Sequence, residues 1–298
     1  MADLPGHSVR ARAPYRSIVD RRHFSLPGNA RVVVWPVVNI EVWDPTGAMP
    51  RTVLPPPMGQ PLLPDIPNWT WHEYGMRVGF WRVLEALRER GLPATLALNG
   101  AACSAYGEVC RAALDAGWEF MGHGLVQRPM HRLDDPQASI RAAIDEIART
   151  TGRPPRGWES PGLTQTDDTL DHLAAAGIEY VADWVLDDQP VTLQTASGSI
   201  VAMPYSVEIN DVVISAVQQH ASDEIYRRGV AQFDRLWEEG ATVPRVMTIS
   251  LHPYLSGVPH RIGHVERLLD HIAAREDTLV WTGEQILDWT LGQPPAAR

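Results

Sequence analysis

Apolar residues run almost unbroken through RVVVWPVVNI at positions 31–40, the pattern of a strand covered on both faces inside a parallel sheet. Helical spacing follows in GFWRVLEALRER at 79–90. There Phe80, Val83, Leu84 and Leu87 share one face, charges occupy the other, and Gly91 and Pro93 end the pattern. Further strands are predicted over 95–98, 119–121, 179–182, 200–203, 212–214, 245–250 and 279–281. Helices are predicted over 108–116, 136–150, 167–176, 222–239 and 265–275, several closed by a glycine such as Gly117, Gly152 or Gly177. Strands alternating with helices argue for a parallel α/β architecture.

The tract at 45–72 breaks this rhythm. It is rich in proline but ends in Trp69, Trp71 and Tyr74, and a disordered linker rarely carries large aromatics so close together. It reads as a long ordered loop that covers an active site or an interface.

In a barrel of this class, functional groups gather at the C-terminal ends of the strands. The residues there are Asn39-Ile40-Glu41, Gly122-His123-Gly124, Trp158-Glu159-Ser160, Asp183-Trp184 and Leu251-His252-Pro253. Glu41, partly desolvated at the end of an apolar strand, has the setting of a general base with a raised pKa. The bland alternative is a solvated or salt-bridged carboxylate. His123 lies between two glycines, where it is placed to hold a metal, a substrate or an oxyanion, or simply to be a satisfied buried imidazole. His252 suits a general acid for a leaving nitrogen. Asp183 suits a carboxylate that orients one of these histidines, or a strand-end cap. Asn39, Trp158, Glu159, Asn210 and Asp211 are candidate substrate contacts; for the Asn-Asp pair a plain turn is the alternative. His72, His172, His220, His260, His264 and His271 read as surface residues, and His131 is held open because it shares the loop of His123.

Composition narrows the partners. Lys and Arg total 26 against 36 Asp and Glu, a net charge of −10, which disfavours nucleic acid and strongly anionic polymers. No stretch of about 18 apolar residues offers a membrane span, and the first residues have no signal-peptide core, so a cytoplasmic protein is expected. Cys103 and Cys110 fit no zinc-ligand spacing and read as two buried thiols. Among the 11 tryptophans, Trp43, Trp69, Trp71 and Trp158 fall near loops, where they would wall a pocket or an oligomer interface.

In this order the segments resemble the polysaccharide deacetylase superfamily, and most closely its allantoinase-like, ring-opening branch. The matching stretches are VVNIE at 37–41, EYGMRVGFWRVLEALRERGLPAT at 73–95, GHG at 122–124 and RPPRGW at 153–158. They continue with DWVLDDQP at 183–190, YSVEIND at 205–211 and SLHPYLSGVPHR at 250–261. The resemblance implies a distorted (β/α) barrel of seven strands. It would span residues 1–298 as one domain, with 1–30 as an N-terminal extension, and would form a homo-oligomer. It implies a hydrolase of non-peptide carbon–nitrogen bonds acting on a small molecule. Two departures bear on the metal. The metal-dependent members carry an Asp-Asp pair where Asn39-Ile40-Glu41 stands, and a second histidine where Gln127 stands. A zinc or other divalent ion would therefore depend on Glu41, His123 and, with its loop folded back, His131. Without one, backbone N–H groups, His123 and the Trp158 indole N–H are the candidate donors that polarise a carbonyl. Glu159 differs from the residue beside this tryptophan in the allantoinase-like enzymes, which puts allantoin itself in question. Opening of a cyclic amide, imide or ureide is the leading expectation. A zinc-dependent deacetylase of a small N-acylated compound and a non-catalytic binding protein are the alternatives.

Overall fold

The computed structural model describes residues 7–20 and 25–293, so the ends of the chain and part of the N-terminal extension lie outside the described residues. The extension opens with helix α1 (His7–Arg12), tied down by an ion pair of 2.7 Å between Arg12 and Asp171. Strand β1 (Val32–Ile40) leads to α2 (Ile66–Tyr74) and α3 (Phe80–Arg88), which are joined by a π-turn over Gly75–Gly79. Then come β2 (Thr95–Leu98), α4 (Ala102–Ala105), α5 (Gly107–Asp115), β3 (Glu119–Gly122), α6 (Pro136–Thr151), β4 (Gly157–Trp158), α7 (Thr169–Ala175) and β5 (Tyr180–Val181). The chain continues with β6 (Val191–Thr195), β7 (Gly198–Ala202), α8 (Glu224–Glu239), β8 (Arg245–Leu251), α9 (Pro253–Ser256), α10 (Pro259–Ala273), β9 (Thr278–Val280) and α11 (Gly283–Gly292).

Seven parallel strands stand in the order β7-β5-β4-β3-β2-β1-β8, the arrangement the resemblance implies. Strand β6 adds an antiparallel partner to β7, and β9 pairs with the first residues of β1. The ends of the row meet through individual hydrogen bonds. Thr248 Oγ1 donates to the Pro204 carbonyl at 2.6 Å, and Ser250 forms a bridge with Asn210. The result is a distorted α/β barrel. Pro36 sits inside β1 without breaking it. The Val34 and Ile40 carbonyls accept from Trp281 and Asn99 on one side of the strand, and Pro36 faces that same side between them. It falls where the neighbour changes from β9 to β2, so its missing N–H leaves little unpaired.

The strand period of two separates an inner from an outer face. Val33, Trp35 and Val37 of β1 pack inside with Ala97, Met121, Tyr180, Val201 and Val246. Val32, Val34, Val38 and Ile40 pack outward under the helices with Leu96, Leu98, Met247 and Ile249. At the lower end the first turn of α11 plugs the barrel. The Gly283 N–H donates to Thr95 Oγ1 at 3.0 Å, and the Glu284 N–H donates to buried Glu119 at 3.1 Å.

Three expectations need correction. Residues 212–214 are not a strand but open a π-turn over Val212–Val217, because the Asn210 Oδ1 accepts from the Val212 N–H at 2.9 Å and starts a helical turn. The loop at 45–72 stops short: Asp65 accepts from the Asn68 N–H and caps α2, so its last residues are helical. Strand β6 and helix α11 were not among the expected elements. No described helix is long and apolar enough to cross a membrane, and both cysteines are free thiols.

Candidate active site

The inner-face period carries past the strand ends. On β1 it runs Val33, Trp35, Val37, Asn39, Glu41; on β8 it runs Val246, Thr248, Ser250, His252; on β3 it runs Glu119, Met121, His123. Glu41, His123 and His252 are buried and converge at the barrel mouth. Glu41 Oε1 lies 3.8 Å from His123 Nε2 and 3.7 Å from His252 Nε2, while its Oε2 accepts a 2.5 Å hydrogen bond from the Trp43 indole. At such separations one oxygen atom of a water or substrate can lie within about 2.8 Å of the carboxylate and an imidazole together.

The second nitrogen of each imidazole is fixed from behind. His252 Nδ1 sits 2.7 Å from Asp211 Oδ1, and Asp211 Oδ2 accepts from the His252 N–H at 2.7 Å and from Ser256 Oγ at 2.6 Å. His123 Nδ1 donates to the Glu159 carbonyl at 2.8 Å, leaving Nε2 without a protein partner. Asn99 braces the loops above: it donates to the His123 carbonyl and accepts from the Val42 N–H at 2.8 Å.

Charge in this cluster is sorted. Burial works to raise the Glu41 carboxyl, but His123, His252 and His72 overcome it and hold the group down at about 2. The raised value expected from the sequence is thereby overturned: the neighbouring imidazoles outweigh desolvation. Burial also works to lower both histidines, yet His123 is raised by Glu159 and Glu41, and His252 by Asp211 and Glu41. Glu159, pushed up to about 7 by burial, faces the mouth with Oε2 unpartnered. Its Oε1 lies 3.3 Å from the Tyr205 hydroxyl, which bonds Ser250 Oγ at 2.6 Å; Asn39 Nδ2 bonds the same Ser250 oxygen at 3.0 Å. The Asn39 Oδ1 is buried and free.

Other candidates go elsewhere. Trp158 belongs to the outer face of its strand, buried with Ile140, Leu170 and Leu173, and its indole donates to Ser160 Oγ at 3.1 Å, so it polarises no carbonyl. Asp183 has the same outward parity beyond β5. It accepts from the Ser160 N–H at 2.6 Å and from Gln165, and touches neither histidine; burial raises it to about 6. Asp211, read as a substrate contact, does the orienting instead. Asn210 caps the π-turn and bonds Ser250 at 3.3 Å. His131 lies exposed on the turn Met130–Arg132. Gln127, where the metal-dependent pattern has histidine, accepts from Asn99 at 3.2 Å. Among the described residues no group of three His, Cys, Asp or Glu side chains could hold a metal ion, so the donors present do not fit the zinc site of the metal-dependent members. His72, read as a surface residue, is fully buried beside the cluster. Asn99, Tyr205 and Ser250 were not singled out either. Inward parity from β2, β7 and β8 would have flagged them.

The barrel thus gathers carboxylates and imidazoles at its mouth. Residues 70–181 match the polysaccharide deacetylase family. A curated Schizosaccharomyces pombe protein named "Putative polysaccharide deacetylase" is 29% identical over 244 residues, 74% of this chain and 76% of that one. The crystal structure of a probable polysaccharide deacetylase from Pseudomonas aeruginosa PAO1 is similar at 26% identity, with a TM-score of 0.83, over 94% of this chain and 99% of that one. The structure of Puue allantoinase shares the fold at 24% identity and a TM-score of 0.81, over 93% of this chain and 96% of that one. In sequence and in fold the chain thus resembles the polysaccharide deacetylase superfamily.

Proposed function

We propose that this protein is a hydrolase that opens a carbon–nitrogen bond in a small cyclic amide, imide or ureide. The observation that carries the reading is the placement of two imidazole Nε2 atoms, 3.7 and 3.8 Å from one oxygen of a buried carboxylate, with one imidazole backed by Asp211. Glu41 takes a proton from a water that attacks the ring carbonyl. The carbonyl electrons move onto oxygen, where protonated His123 donates from Nε2. As the tetrahedral intermediate collapses, the carbon–nitrogen bond breaks and His252 gives its proton to the departing nitrogen. Glu41 is a weak base while both imidazoles are charged. As water adds, the negative charge that develops on the oxygen facing His123 offsets that positive charge, so the basicity of Glu41 rises in the same step. Asn39 Oδ1 and Glu159 Oε2, both buried and unpartnered, suit a ring that offers N–H donors.

Turnover of a panel of hydantoins, cyclic imides, allantoin and small N-acetyl sugars tests this directly. Ring opening that survives a chelator is the expected result. Turnover confined to N-acetyl compounds and abolished by chelator would replace it with a zinc deacetylase.

The partner reading is a homo-oligomer. Val53, Leu54, Met58, Leu62 and Leu63 are exposed in a tract with no charged residue between Arg51 and Asp65, an apolar stretch that supports burial against another copy. Light scattering is expected to give a multiple of 33.1 kDa, and a monomer at micromolar concentration would refute it.

A further inference from the structure

His72 takes no part in the proton transfers proposed above, yet it is fully buried at the centre of an aromatic stack. Its ring lies 4.4 Å from that of Trp43 with the planes 19° apart, and 5.3 Å from Tyr254. Each neighbour leads to the site. The Trp43 indole N–H holds Glu41 Oε2 at 2.5 Å, and the Tyr254 ring packs edge-on to His252 at 5.8 Å. Neither His72 nitrogen has a hydrogen-bond partner in the protein. Leaving a buried polar atom unpaired is costly, so a ring buried this way contributes through its face and shape.

We infer that His72 is a positioning residue that fixes the Trp43 indole by stacking, so that its N–H stays on one oxygen of Glu41 and the other oxygen faces the two catalytic histidines. The inference rests on the reading of Glu41 as the proton acceptor. The geometry explains why the proline-rich tract ends in a helix here. Asp65 caps α2, and α2 carries Trp69, Trp71 and His72 onto the aromatic cluster around Trp43 and Tyr254. Burial keeps the imidazole neutral, lowering it to about 4, so no charge is placed against His252 at working pH.

The test uses the indole N–H signals of nitrogen-labelled protein, which need no substrate. The Trp43 signal is identified by its loss in Trp43→Phe, and a hydrogen bond to a carboxylate places it downfield. His72→Phe keeps the stack and is expected to leave this signal in place, with kcat/KM within about threefold of wild type. His72→Ala removes the stack. It is expected to move the signal toward that of a free indole and to lower kcat by about tenfold or more with little change in KM, since small misplacements of a reacting group are expensive in rate. A folded His72→Ala protein with the Trp43 signal unmoved would overturn the proposal. So would a His72→Phe protein that behaves like His72→Ala, because the nitrogens would then be in use. If wild type opens no ring compound, the enzymatic reading fails while the indole signals still decide the role of His72.

Discussion

Glu41→Gln is expected to lower kcat/KM by about 10²-fold or more while the protein stays folded. Glutamine has the same shape and can still accept the Trp43 indole N–H, so the packing around the side chain is preserved. What is lost is the proton acceptor and the negative charge that both imidazoles face. The stability of the two proteins should then differ in a specific pH range. The Glu41 carboxyl is held at about 2, below its ordinary value of 4.5. A depressed carboxylate stabilises the fold fully above its unfolded value and loses that contribution as pH falls through the folded one. Thermal melting should therefore show wild type losing stability between pH 4.5 and about 2, and Glu41→Gln losing less over that interval. Activity of Glu41→Gln within threefold of wild type would remove Glu41 as the base. Glu159 would then be the next carboxylate to test, since its value of about 7 suits a base at neutral pH.

The parts of this site that were legible in the sequence are marked by local signals. Glu41 and His252 end long strands rich in β-branched and aliphatic residues, so the position of the strand end could be read, while His123 was marked by its two flanking glycines after the shorter EFMG. Trp158 closes β4 and Asp183 lies just beyond β5, both strands of two residues. A shift of one residue moves a side chain to the opposite face, and two residues show no alternation from which to fix the face. Both were assigned inward and both point outward. The role of Asp211 depends on a contact across 41 residues to His252, which no local pattern contains. His72 was hidden for a different reason. Its proline-rich surroundings suggest a loop, whereas one aspartate cap is enough to start the helix that buries it. Helix α11 was more readable than it was taken to be. Thr282 and Gln285 form a capping box, a local signal that sits beside an apolar run. The β6 sequence VTLQT likewise alternates on a period of two.

Asp211→Asn should separate an orienting carboxylate from a simple turn cap. Asp211 is buried and receives three groups at once: the His252 N–H, His252 Nδ1 and Ser256 Oγ. The amide of asparagine can keep one or two of these. Turned to present its NH₂ to His252 Nδ1, it makes that nitrogen an acceptor and leaves the imidazole neutral, with its proton on Nε2. An imidazole in that state has lost the charge that makes it a ready acid, so kcat is expected to fall by about 10²-fold or more. The pH dependence gives the sign. His252 is raised above its ordinary 6.5 by Asp211 and Glu41 despite burial. Its contribution to stability is therefore full below 6.5 and is lost as pH rises through the raised folded value. The substitution should thus destabilise most at pH 6 and progressively less toward pH 9. The basic limb of the rate profile, set by loss of the His252 proton, should move to lower pH. A turn cap would instead produce a loss of stability that is the same at both ends of that range, with the basic limb unmoved. That outcome would return the leaving-group proton to another donor, of which Glu159 is the nearest in character.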